Sequence, residues 1–127
     1  MRLEKNFNLS EFRCKDGTDV PDELLLNVKK LAIELQKLRD LLGLPIKINS
    51  GYRTPSYNRK IGGAKNSFHV QAKAADIVVT DITPKQLHAK IEKWIEQGKL
   101  NFKGVGLYDT FVHVDVRDRK ARWDETT

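Results

Sequence analysis

Apolar residues recur at Leu24, Val28, Leu31, Leu35, Leu38 and Leu42, in alternating steps of four and three. This spacing predicts one stripe of an amphipathic helix. Pro21 opens it at a position that needs no amide donor, and Gly43 ends it. Lys29, Lys30, Glu34, Lys37, Arg39 and Asp40 fall mostly off the stripe, so this helix reads as scaffold. A second helix starts at Thr83-Pro84-Lys85-Gln86, a capping box with proline in the first helical position. It carries Leu87, Ile91, Trp94 and Ile95 on one face and stops at Gly98, with His88 on the rim of the stripe.

Period-two patterns mark the strands. IKI at 46–48 follows Pro45 and leads into "NSGYRTPSYN", read as a turn-rich loop, and 59–68 reads as a further surface loop. AADIVV at 74–79 is a strand whose one charged residue is Asp76. The segment GVGLY-DT-FVHVDVR predicts a hairpin in which Val112, Val114 and Val116 face the core. His113, Asp115 and Arg117 then face the other way. With Asp109-Thr110 as the turn, Gly106 lies opposite His113 and Gly104 opposite Asp115, which leaves open space above both polar residues. Two main helices and a small antiparallel sheet make an α+β domain, one unit spanning 1–127.

Composition narrows the function classes. A hydrophobic fraction of 39% and a charged fraction of 31% are globular values. No apolar run approaches the roughly 20 residues that span a bilayer, and MRLEKNFNLSEF lacks the apolar core of a secretory signal. The expectation is synthesis in the cytoplasm with action elsewhere, or a leader removed. A net charge of +6 favours an anionic partner. The basic residues are scattered, however, without interleaved aromatics, so nucleic acid is not expected. The single Cys14 excludes an intrachain disulfide and reads as a small buried hydrophobe. No helix shows a second apolar stripe, so a monomer is expected.

Two of the three histidines lie in "SFHVQAKAAD" and "FVHVDVR". His69, Asp76 and His113 would make a three-ligand set of the kind hydrolytic zinc uses, with a position left for water. Asp115, on the same strand face as His113, is the nearest candidate for a general base, and Asp109 in the turn is the second. On spacing alone the same residues read more readily as polar caps of strand ends than as a metal site.

The motifs "INSGYRTPSYN", "SFHVQAKAADI", "GVGLYDTFVHVDVR" and "RKARW" resemble, in the same order, those of the zinc-dependent D-alanyl-D-alanine peptidases of bacterial cell walls. The chain resembles in particular the small, phage-associated and wall-remodelling branch. The resemblance runs from "NLSEFRCKDG" to Trp123. The family pattern S-x-H-x-x-G-x-A-x-D is met by Ser67, His69, Ala74 and Asp76, with Ala72 where the pattern has glycine. It implies zinc held by His69, Asp76 and His113. It also implies Arg53 as a catalytic and substrate-binding residue with Ser67 beside the substrate, and peptidoglycan peptides as the partner. The family's acidic residue three positions before the last histidine is Thr110 here, which cannot take a proton at neutral pH. Asp115 is expected to act as the base in its place. The alternative is a catalytically weak, metal-binding wall-recognition module. Carboxypeptidase and endopeptidase activity both remain open, and a phage-lysin-like release fits the missing leader.

Overall fold

A computed structural model describes residues 1–127. A short hairpin of β1 (Arg2–Glu4) and β2 (Phe7–Asn8) precedes two 3₁₀ turns, and α1 follows at Leu25–Leu42. Gly43 ends α1 at φ 66, in the left-handed region where glycine pays no steric penalty, and its N–H bonds the Arg39 carbonyl at 3.0 Å. The remaining elements are β3 (Ile46–Ser50), α2 (Pro55–Lys60), β4 (Ala74–Val79), α3 (Pro84–Glu96), β5 (Gly104–Leu107), β6 (Val112–Asp115) and β7 (Ala121–Asp124).

The α+β class is as expected, and the capping box of α3 forms in both directions, at 2.9 and 3.1 Å. Two features differ from the sequence reading. The end of the "NSGYRTPSYN" loop and the start of the 59–68 loop form α2, six residues capped by the Thr54 hydroxyl on the Tyr57 amide at 3.1 Å. At that length no apolar period develops, so only the Thr-Pro cap announces the helix. The sheet is also mixed, in the order β3-β4-β6-β5-β7, because β7 adds parallel to β5. Val116–Lys120 carries the chain across the end of β5 to reach that far edge, a non-local pairing that no local pattern signals.

The two sheet faces separate core from chemistry. Ala75, Ile77, Val105, Val112 and Val114 join Val28, Leu31, Leu35 and Leu38 of α1 and Leu87 and Ile91 of α3 in one buried cluster. Cys14 lies in the same cluster. The opposite face carries Asp76 directly across from His113, with Gly106 and then Trp123 continuing the row. Arg122 points the other way, donating to Glu92 of α3 at 2.9 Å and tying β7 to the helical layer. No helix is long and apolar enough to cross a membrane.

Candidate metal centre

His69 and Asp76 reach one point from different directions. Asp76 projects from the middle of β4, a central strand, while His69 lies in the turn that enters it. That turn closes through Ala72 N–H on His69 O at 3.1 Å and Lys73 N–H on Phe68 O at 3.0 Å. Ala72 sits at φ 57. The position therefore does require a left-handed backbone, and alanine holds it at some steric cost. The Arg53 amide donates to His69 O at 3.0 Å, locking the SGYR segment to the same turn.

The two imidazoles are oriented from behind. His69 Nδ1 lies 2.8 Å from the Gly51 carbonyl oxygen, which can only accept, so Nδ1 carries the proton and Nε2 presents its lone pair. His113 Nε2 lies 2.7 Å from Asp115 Oδ2, and the same reasoning frees Nδ1. Both lone pairs face one carboxylate oxygen, since Asp76 Oδ1 is 3.2 Å from His69 Nε2 and 3.0 Å from His113 Nδ1. Three acceptors converging without a donor between them are an arrangement that could hold a cation. The two distances to Asp76 Oδ1 are close to the edge of a tetrahedron of ligands about 2.0–2.1 Å from zinc, roughly 3.3 Å. The three ligand atoms lie within 4.8 Å of one another. The donor set, two neutral imidazoles and a carboxylate, suits zinc of the hydrolytic kind.

Burial makes the electrostatics strong. His69, Asp76 and His113 are 3%, 6% and 7% exposed, and Asp115 is 0%. In the metal-free protein, where a second proton can sit on either imidazole, burial opposes the ionised form of Asp76, but hydrogen bonds from His113 and His69 then hold its carboxyl well below the usual range. Burial likewise opposes charge on Asp115, and hydrogen bonds from His113 and Arg117 overcome it. In the same metal-free state His113 is raised above 6.5: burial disfavours the imidazolium, but its hydrogen bonds to Asp115 and Asp76 outweigh that effect.

A cavity of about 450 Å³ opens over the cluster and is lined by Arg53, Ser67, His69, Asp76 and His113. Five of the residues singled out in the sequence therefore meet in one place. Arg53 donates through Nη2 to Asp76 Oδ2 at 3.3 Å, through Nε to Ser50 Oγ at 3.1 Å and through Nη1 to Asn58 Oδ1 at 3.3 Å. Ser67 Oγ accepts from the His69 amide at 3.2 Å and so stiffens the turn.

Asp115 lies elsewhere, behind His113 and outside the cavity lining. Arg117 grips it through Nε and Nη2 at 2.8 and 2.6 Å. Asp109 is turned outward, accepting from the Thr127 amide and hydroxyl at 3.2 and 2.8 Å. Thr110 borders a separate hollow with Val78, Pro84 and Leu87. The space expected above the hairpin glycines is filled. A Cβ on Gly104 would overlap the Asp115 carboxylate, and one on Gly106 the Trp123 indole.

Trp123, Arg117 and the Gly51 carbonyl were given no role by the sequence. Period-two alternation does set Arg117 on the face of His113. Trp123 needs the β5–β7 pairing to reach the site, where its ring centroid lies 5.0 Å from that of His113.

Two pinned histidines and an aspartate at the base of an open cavity could hold one metal ion. The Peptidase M15 family model matches residues 3–115. The chain belongs to that family, the zinc D-Ala-D-Ala peptidases, and its class of activity is that of a metallopeptidase. No curated protein sequence matches the chain.

Proposed function

We propose that the protein hydrolyses peptide bonds in peptidoglycan stem peptides or their cross-links, with zinc held by His69 Nε2, Asp76 Oδ1 and His113 Nδ1. The observation that carries this reading is the convergence of the two imidazole lone pairs on one carboxylate oxygen under an open cavity. Zinc bound there would polarise a peptide carbonyl and lower the pKa of a coordinated water to roughly 7.

The chain's own residues supply binding and orientation. Arg53 keeps a guanidinium on the cavity wall, where a planar fork suits a substrate carboxylate or carbonyl. Ser67 offers a hydroxyl beside it. Asp115, sealed at 0% exposure against His113, suits holding that ring in its tautomer better than exchanging protons with a water in the cavity. We therefore give Asp115 a positioning role in place of the general-base role expected from the sequence.

One observation favours a second reading. Asp76 is the one carboxylate lining the cavity, so no spare acid or base of that type faces the substrate. A metal-binding module that recognises the wall and cuts it weakly fits this lining. Digestion of purified murein by the zinc-loaded protein, with products identified by mass, tests both readings. Release of stem-peptide fragments supports hydrolysis, and the fragment masses separate carboxypeptidase from endopeptidase action. Intact murein that still retains the protein supports recognition alone.

A further inference from the structure

Arg117 stands at the partition between two hollows. One is the cavity over the metal centre. The other, about 330 Å³, is lined by Lys30, Ile33, Glu34, Lys103, Arg117 and Asp118 among its walls.

The guanidinium is fixed in place. Nε and Nη2 are engaged by Asp115, and the central carbon lies 4.3 Å from the Phe68 ring centroid and 5.1 Å from that of Trp123. Nη1 has no protein partner. No buried side-chain polar atom in the molecule lacks one, so Nη1 is open to solvent. An arginine with its plane already set and one nitrogen free is preorganised for a carboxylate, because little rotamer entropy remains to be lost on binding.

The charges of the second hollow point the same way. Lys30 and Lys103 form no ion pair. Glu34 is already engaged, accepting from Lys37 Nζ at 2.9 Å and from the Asn101 amide at 2.7 Å. Asp118, exposed at the rim, is the remaining negative group. The uncompensated charge is positive, and Ile33, 43% exposed, adds an apolar contact.

We infer that this second hollow is a subsite for an acidic peptide, taking a free carboxylate remote from the cleaved bond on Lys30 and Lys103, with Arg117 on the wall it shares with the main cavity. The inference rests on the peptide-hydrolysis reading for what fills the main cavity. It adds a substrate class, namely peptides carrying a carboxylate beyond the one at the scissile end.

The test uses pairs of peptides containing a central D-Ala–D-Ala bond, N-methylated at that amide so that it resists cutting. The members of a pair differ in one side chain, carboxylate in one and carboxamide in the other, placed at each position in turn. Calorimetry measures their binding to the zinc-loaded protein and to Lys30→Met/Lys103→Met, a variant that leaves the metal centre and Arg117 untouched. At one position the wild type is expected to prefer the carboxylate by about tenfold, the worth of one charge-assisted contact. In the variant the preference falls to within about twofold, with zinc stoichiometry and melting temperature unchanged. Equal affinity for both members at every position overturns the subsite, as does a preference that survives in the variant. The unmethylated peptides are assayed separately for cleavage. Cleavage without carboxylate preference removes the subsite and leaves the peptidase reading intact. Carboxylate preference without cleavage removes the peptidase reading and leaves the subsite.

Discussion

His113 Nε2 lies 2.7 Å from Asp115 Oδ2, and that carboxylate has no contact with solvent. The pair turns the opposite ring nitrogen toward Asp76, so the strand that carries the proposed ligand also carries the group that aims it. Asp115→Asn would keep the volume and remove the charge that holds the proton on Nε2. The expected result is a loss of about 10–100-fold in zinc affinity, measured by competition with a chromogenic chelator. Lost turnover with unchanged zinc affinity would return Asp115 to the role of base.

Proton competition at the metal centre has a calculable sign. Zinc needs His113 neutral, and this histidine is raised above 6.5 in the metal-free protein. Zinc affinity should therefore rise with pH and level off above the raised value, by about tenfold per unit for each proton displaced. Calorimetry in buffers of differing ionisation enthalpy would count the protons released.

The same groups set the pH profile of metal-free stability. The contribution of His113 is fully present below 6.5 and is lost as pH rises through its raised folded value. Asp76 and Asp115 contribute above 3.8, and their share is lost as pH falls toward their depressed values. Thermal melts should place the metal-free optimum between these limits, with added zinc moving it upward. An optimum above the raised His113 value in the metal-free protein would contradict the assignment.

Gly104→Ala would drive a methyl into the Asp115 carboxylate, and Gly106→Ala into the Trp123 ring. Each should cost about 1–3 kcal/mol in urea unfolding. Gly104→Ala should also weaken zinc binding, because Asp115 must move away from His113. Gly106→Ala should mainly change tryptophan fluorescence.

Ala72, at φ 57 and 1% exposed, gives a paired test of backbone strain. Glycine relieves about 1–2 kcal/mol of left-handed strain. It loses a buried methyl worth about 0.8 kcal/mol and adds freedom to the unfolded chain worth about 0.4–1 kcal/mol. Ala72→Gly should therefore fall within about 1 kcal/mol of the wild type. Ala72→Val, β-branched in a region such residues avoid, should cost roughly 2–4 kcal/mol. A valine variant as stable as the glycine one would show that the turn adopts another conformation.

Much was legible in the chain itself. The stripe from Leu24 to Leu42, the capping box at Thr83 and the alternation from Phe111 to Arg117 are short-range patterns. They fixed two helices, the hairpin register and the shared face of His113 and Asp115. The order of motifs identified His69, Asp76 and His113 as the residues to watch.

Tertiary structure decided what each polar group does. Direction along a strand says that Asp115 shares a face with His113, but not that its carboxylate folds back over Gly104 onto the imidazole. Only the β6–β5–β7 arrangement closes that niche. Trp123 reaches His113 through a parallel pairing at the far edge of the sheet, and Arg117 is fixed between Phe68, Trp123 and Asp115, which come from three separate segments. Local sequence carries backbone propensity and the side of an element on which a residue falls. The tautomer of a histidine, the burial of a carboxylate and the free nitrogen of an arginine depend on neighbours distant in the chain, and those exist only once the sheet has closed.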